Sequence, residues 1–113
     1  GEPYRELLYS DDLAEAALFL MERYTQRDIG EFVNIGTGTD MRVRDIADLV
    51  KRTVGYTGTL EWDRSKPDGT PRKVLDLSRM GKLGWQARVS LEEGIRLLYE
   101  WYRSAAGKSS GNG

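Results

Sequence analysis

Between residues 12 and 24 the apolar positions Leu13, Ala16, Ala17, Leu20, Met21 and Tyr24 recur at intervals of three and four. That spacing gathers them on one face of a helix, with Asp11 or Asp12 available to cap it. Residues 31–36 (EFVNIG) form a short β-branched and aromatic run closed by glycine, which predicts a strand, and 37–40 make the loop that follows. Helical spacing returns at Val43, Ile46, Ala47, Val50 and Val54, and Gly55 stands where a left-handed cap is expected. A second strand is expected over 59–63, around Leu60 and Trp62. After it, residues 64–73 are polar and hold two prolines, so they form a loop of about ten residues, longer than most connections. Residues 74–76 read as a short extended piece and 77–83 as one or two helical turns ending at Gly84-Trp85. Ser90, followed three residues later by Glu93, has the order of a capping box. It opens a helix whose Leu91, Ile95, Leu98 and Tyr102 share a face, with Leu97 and Trp101 on a second stripe. Residues 105–113 read as a frayed tail.

The sum is a small α/β domain, α+β-like in character, of about four helices and two or three short strands. It occupies residues 1–104, with 105–113 as a flexible tail. Two strands alone are a marginal sheet, so the helices must supply most of the core, or the domain leans on another domain or subunit.

Composition narrows the chemistry. The 113 residues carry 17 Lys and Arg against 18 Asp and Glu, a net charge of −1, so no global field steers the chain onto nucleic acid or anionic lipid. No apolar run approaches the ~20 residues of a membrane-spanning helix, and the amino terminus lacks the order of a signal peptide, which implies a cytoplasmic protein. The absence of Cys and His excludes disulfides, thiolate chemistry, the usual zinc sites and Ser-His or Cys-His catalysis.

The cations are unevenly placed. Loop 64–73 holds four bases and one acid, whereas the first 24 residues hold two bases and six acids. Arginine forks and lysine ammonium groups match phosphate oxygens, and the prolines reduce the entropy lost when such a loop orders around a ligand. By composition alone, however, a solvated loop that keeps the surface soluble is the favoured reading.

The run SKPDGTPRK (65–73), preceded by GYTG (55–58) and Trp62-Asp63, resembles the carboxy-terminal signature of the GDP-L-fucose synthases, extended short-chain dehydrogenase/reductases. Residues 5–14 resemble that family's R-E-F-x-[YH]-V-D-D-x-A segment, and 32–38 its [FI]-x-N-[IV]-G-T-G. Leu83-Gly84-Trp85 and 90–94 complete a colinear similarity that runs to about Arg103. The resemblance implies a substrate domain that closes over a GDP-sugar while an amino-terminal Rossmann domain holds NADP(H). It places Arg5 at the position of the arginine that contacts the GDP diphosphate. Asp68, Arg72 and Lys73 fall in the loop covering the nucleotide sugar, with Arg72 and Lys73 as diphosphate ligands and Asp68 as an acceptor or loop-orienting group. Without the family match, an ion pair of Arg5 with Asp11 or Asp12 is an equal reading.

The family's catalytic set is incomplete here. No tyrosine has a lysine four residues on, and the third glycine of a G-x-G-x-x-G turn starting at Gly36 would fall at Met41, so Gly36-Thr37-Gly38 reads as a plain turn. No catalytic, cofactor-binding or metal residue is assigned. The expected function is positioning of a GDP-sugar for groups held elsewhere, with enzymatic activity unassigned to this chain alone. The rival is a non-enzymatic interaction module, self-associating as a homodimer through surface made to meet a missing domain. Asp11-Asp12 and Glu92-Glu93 are taken as helix-start acids, and Trp62, Trp85 and Trp101 as packing residues, with Tyr99 and Trp101 a candidate partner surface. Two positions depart from the family pattern: Arg42 replaces a threonine or serine, leaving the helix cap to Asp40 or to nothing, and Ser10 replaces a valine.

Overall fold

The computed structural model describes residues 1–110. Its elements run β1 (Tyr4–Arg5), α1 (Ser10–Arg23), α2 (Gln26–Ile29), β2 (Met41–Arg42), α3 (Val43–Val54), α4 (Ser78–Leu83) and α5 (Leu91–Ser110). No helix among the described residues is long and apolar enough to cross a membrane.

The glycine and serine signals produce the helix ends they predict, whereas neither Asp11 nor Asp12 caps α1: both lie inside its first turn, and its N-cap residue is Tyr9, with no side-chain cap. Gly55 ends α3 in the left-handed region at φ 73°, its N–H reaching the carbonyls of Arg52 and Lys51, and Gly84 ends α4 in the same way at φ 99°. Ser90 Oγ accepts the Glu93 N–H at 3.2 Å, fastening the start of α5. Short α2 was not foreseen, although Thr25 and Asp28 carry its signal: the Asp28 carboxylate accepts the Thr25 N–H at 2.7 Å. Ser10, the second departure, lies exposed at the first position of α1, so no buried packing position is lost there.

The strands lie elsewhere than predicted. β1 and β2 pair antiparallel, Tyr4 opposite Arg42 and Arg5 opposite Met41. Val43 N–H to Pro3 O (2.9 Å) and Arg44 N–H to Gly1 O (3.0 Å) continue the ladder. Segments 31–36 and 59–63 form no strand, because neither finds a ladder partner among the described residues. Their alternation is nevertheless expressed in 31–36: Val33 and Ile35 turn towards the core while Phe32 is exposed.

That core is small. Ala16 of α1, Met80 of α4 and Trp85 are buried together, flanked by Phe19, Leu20, Val33, Ile35, Leu83 and Ala87, and Leu49 of α3 is buried apart from them. Of the three tryptophans taken as packing residues, Trp85 is core, whereas Trp62 and Trp101 are exposed, at 40 % and 66 %. Leu98 and Tyr102 are exposed as well, so the stripe predicted on α5 is half-buried at Leu91 and Ile95 and then leaves the body. The helix runs on to Ser110, through the first residues expected as tail. The rest of that tail, residues 111–113, lies outside the described residues.

The layer is flat, 51 × 42 × 20 Å, with a radius of gyration of 17.7 Å. A compact chain of this length has a radius near 13 Å. The accessible surface is 8750 Å², against about 6,300 Å² for a compact monomer of this mass. Much apolar area therefore faces outwards.

Arg42 is the N-cap residue of α3 and gives no side-chain cap; it pairs instead with Asp45 at 3.0 Å, which holds the Arg42 guanidinium above its ordinary pKa. The cap is thus lost, and Asp40 does not replace it. Arg42 has the extended backbone that a capping residue needs (φ −62°, ψ 144°). Arg42→Thr is therefore expected to stabilise the chain by about 0.5–1 kcal/mol, since a cap outweighs an exposed ion pair. A fall in the urea midpoint would show that the pair matters more than the cap.

Candidate functional site

Three consecutive residues at the start of the chain hold the basic loop. The Tyr4 N–H donates to Pro71 O at 2.8 Å. Arg5 Nη1 donates to Thr70 O at 2.7 Å and to Tyr4 O at 2.6 Å. Glu6 Oε2 accepts the Leu75 N–H at 3.2 Å. The other oxygen of Glu6 accepts the N–H groups of Thr37 (2.7 Å) and Gly38 (3.2 Å), so one carboxylate ties the loop to the Gly36-Thr37-Gly38 turn. β-pairing of residues 4 and 5 with 41 and 42 fixes the direction of this segment.

The turn's chemistry follows from Glu6. Two backbone N–H groups converging beside a glycine at φ 79° make a cradle for an anion, and here the anion is the protein's own carboxylate. A Cβ on Gly36 would collide with Glu6 Oε1. Glycine at 36 leaves room for the Glu6 carboxylate, which a side chain there would have to displace, and this accounts for the turn without a dinucleotide phosphate.

Arg5 makes no ion pair with Asp11 or Asp12. It is half-buried, and a Cβ on Gly69 would lie 3.2 Å from its Nη2, so the loop runs close beside the guanidinium. Arg72 donates from Nε to Asp40 Oδ2 at 2.7 Å and from Nη2 to Asp40 Oδ1 at 3.3 Å, and its Cζ sits 4.4 Å from the centre of the Tyr4 ring. Asp68 and Lys73 are exposed. Asp68, Gly69, Pro71 and Arg72 line a recess of about 290 Å³ with Glu2, Pro3 and Tyr4. Arg5 and Asp40 instead border a larger open cleft of about 1220 Å³ that reaches α3 at Lys51 and Arg52 and the start of α5 at Ser90. Arg5 and Arg72 therefore both contact Tyr4, but only Arg72 and Asp68 line the recess; Arg5 borders the larger cleft, and Lys73 lines neither.

Both flanks of the loop are closed by aspartate turns. Ser65 donates its hydroxyl (2.5 Å) and N–H (3.0 Å) to Asp63 Oδ1, and the Ser78 N–H donates to Asp76 Oδ1 at 3.0 Å. These hydrogen bonds favour the ionised carboxylates and hold both below the ordinary aspartate pKa.

Sequence reasoning missed Tyr4, Glu6 and Asp40. Glu6 follows Arg5 directly in the matched motif, and that adjacency was the available signal. Asp40 carried none, because its partner lies thirty-two residues away.

No protein-family model matches the chain. It is 50% identical over 102 residues to GDP-L-fucose synthase 1 of Arabidopsis thaliana, covering 90% of this chain and 31% of that relative. A GDP-mannoheptose C4 reductase from Campylobacter jejuni, solved with NADP bound, superposes with a TM-score of 0.79 at 37% identity, over 91% of this chain and 32% of that one. A UDP-glucose 4-epimerase from Thermotoga maritima, solved with UDP-glucose, superposes with a TM-score of 0.82 at 33% identity, over 94% and 33% of the two chains. The chain spans about a third of the length of these relatives, and over about nine-tenths of its own length it is similar to GDP-L-fucose synthases and to nucleotide-sugar reductases and epimerases.

Proposed function

We propose that residues 1–104 are the GDP-sugar-binding portion, corresponding to the carboxy-terminal part, of a GDP-L-fucose synthase-like enzyme, an epimerase/reductase acting on GDP-4-keto-6-deoxymannose. The observation that carries this is the tie between two matched motifs 65 residues apart: Tyr4 and Arg5 grip the backbone of the SKPDGTPRK loop at Pro71 and Thr70, and Glu6 holds Leu75 just beyond it. Arg5, Arg72 and Lys73 are the diphosphate ligands in this reading, and Asp68 orients the loop or accepts from the sugar nucleotide. The chain contributes binding and orientation, which convert an encounter into a reacting geometry. Proton and hydride transfer belong to groups it does not carry, with NADP(H) held by a Rossmann domain, as suits a family whose C. jejuni relative was solved with NADP. The outward apolar area is the surface on which such a domain packs, and a cytoplasmic setting belongs to the same reading. The self-associating module gains no support from the relatives.

Calorimetric titration of the chain with GDP and UDP, at low and moderate salt, tests the proposal. Binding that prefers GDP and weakens with salt is expected, and Arg5→Ala should lose about tenfold in affinity, the scale of one charge-assisted contact. No heat at millimolar GDP, or equal affinity for UDP, would count against a GDP-sugar site in this domain.

A further inference from the structure

We infer that Asp40 and Tyr4 are positioning residues for an anion site in which Arg72 is the ligand-facing group. The identity of the anion as a nucleoside diphosphate rests on the GDP-sugar reading; the preorganised arginine does not. A guanidinium has five N–H donors in a rigid plane. In Arg72, Nε and one Nη2 hydrogen are spent on the two oxygens of Asp40, at 2.7 and 3.3 Å, and one face of the plane lies on the Tyr4 ring at 4.4 Å. Both Nη1 hydrogens and the second on Nη2 have no protein acceptor among the described residues. The backbone is held too, because the Tyr4 N–H binds the carbonyl of Pro71, the residue before Arg72. An exposed loop arginine would otherwise have to be ordered by its ligand, at a cost in affinity.

Burial decides whether Asp40 assists the anion or competes with it. The Arg72 side chain is 62 % exposed and that of Asp40 only 10 %. A ligand that drew Arg72 away would strand a nearly buried carboxylate, which costs more than one phosphate contact returns. Arg72 therefore stays on Asp40 and meets an anion with its remaining donors. The site bridges carboxylate, guanidinium and phosphate in a line of alternating charge.

The test follows the arginine side-chain resonances of ¹⁵N-labelled chain as inorganic pyrophosphate and then GDP are added. In the wild type the Arg72 Nε–H signal should be visible and slow to exchange before any anion is present, and pyrophosphate should shift the Arg72 Nη signals. Asp40→Asn should lose the protected Nε–H signal and bind pyrophosphate about tenfold more weakly, as should Arg72→Lys, which keeps the charge but not the fork. Tyr4→Leu, which leaves Asp40 in place and guards against misfolding of the first variant, should weaken binding about threefold. Unchanged or tighter binding by folded Asp40→Asn overturns the inference, as does an Arg72 that ignores pyrophosphate in the wild type. If pyrophosphate shifts Arg72 while GDP does not bind, the nucleotide reading fails and the anion site stands.

Discussion

Glu6→Ala should lower the stability of the chain by about 3 kcal/mol, among the largest effects available to a single side chain here. The Glu6 carboxylate accepts three backbone N–H groups, from Thr37, Gly38 and Leu75, and among the described residues no other side chain joins the turn to the segment that follows the basic loop in this way. Hydrogen bonds to a charged acceptor contribute about 1.5–3 kcal/mol each when buried, and water recovers part of that at exposed Gly38 and Leu75, which keeps the total well below the sum of three. Glutamine should rescue in part, since its oxygen can keep the Thr37 and Gly38 N–H groups while its amide NH2 faces the Leu75 N–H. Gly36→Ala should approach the same loss by another route, because its Cβ would occupy the place of Glu6 Oε1. The double variant should cost little more than either single one, the signature of two changes that break one contact. Urea midpoints check all three, and a Glu6→Ala cost under about 0.5 kcal/mol would mean that water replaces the carboxylate and that the loop is held by residues 4 and 5 alone.

Local signals were legible and long-range ones were not. Gly55 and Ser90 each act within one helical turn, so the end of α3 and the start of α5 could be read from a few neighbouring residues. A strand exists only with a partner. Residues 31–36 have the alternation of a strand and lack the partner, whereas Tyr4–Arg5 and Met41–Arg42 have no pattern of their own and are strands because residues 1–5 lie against 41–44. The same distinction runs through the site. That Arg5 and the 68–73 loop belong together was implied by family resemblance and not by any property of the intervening residues. Glu6 and Asp40, each among polar neighbours, read as ordinary surface acids until their partners 31 and 32 residues away are in view. Trp101 shows the converse. Its apolar character predicts burial, and it is exposed because no described segment of this flat layer covers that face of α5.

Asp11 and Asp12 look equivalent as a pair of helix-start acids, and the structure separates them sharply. Asp11 is exposed, while Asp12 is 3 % exposed and its Oδ2 accepts the N–H groups of Arg88 (3.1 Å) and Val89 (2.9 Å), 76 and 77 residues on. Asp12→Ala should therefore cost about 3 kcal/mol, leaving two backbone donors without an acceptor beside the core formed by Ala16 and Trp85. Asp12→Asn should cost about 1 kcal/mol, because the amide oxygen can take the place of Oδ2 and only the charge is lost. Asp11→Ala should stay within about 0.5 kcal/mol, as surface changes usually do. Amide hydrogen exchange gives the sharper readout: protection at Arg88 and Val89 should collapse in Asp12→Ala while that of α3 persists, since only the segment leading into α5 loses its anchor. That segment also sets one wall of the larger cleft, through Arg88, Val89 and Ser90. If Asp12 is the anchor, Asp12→Ala should weaken GDP binding more than its loss of stability accounts for. Equal costs for Asp11→Ala and Asp12→Ala would reduce both to helix-start charges and leave the start of α5 positioned by its packing against α3.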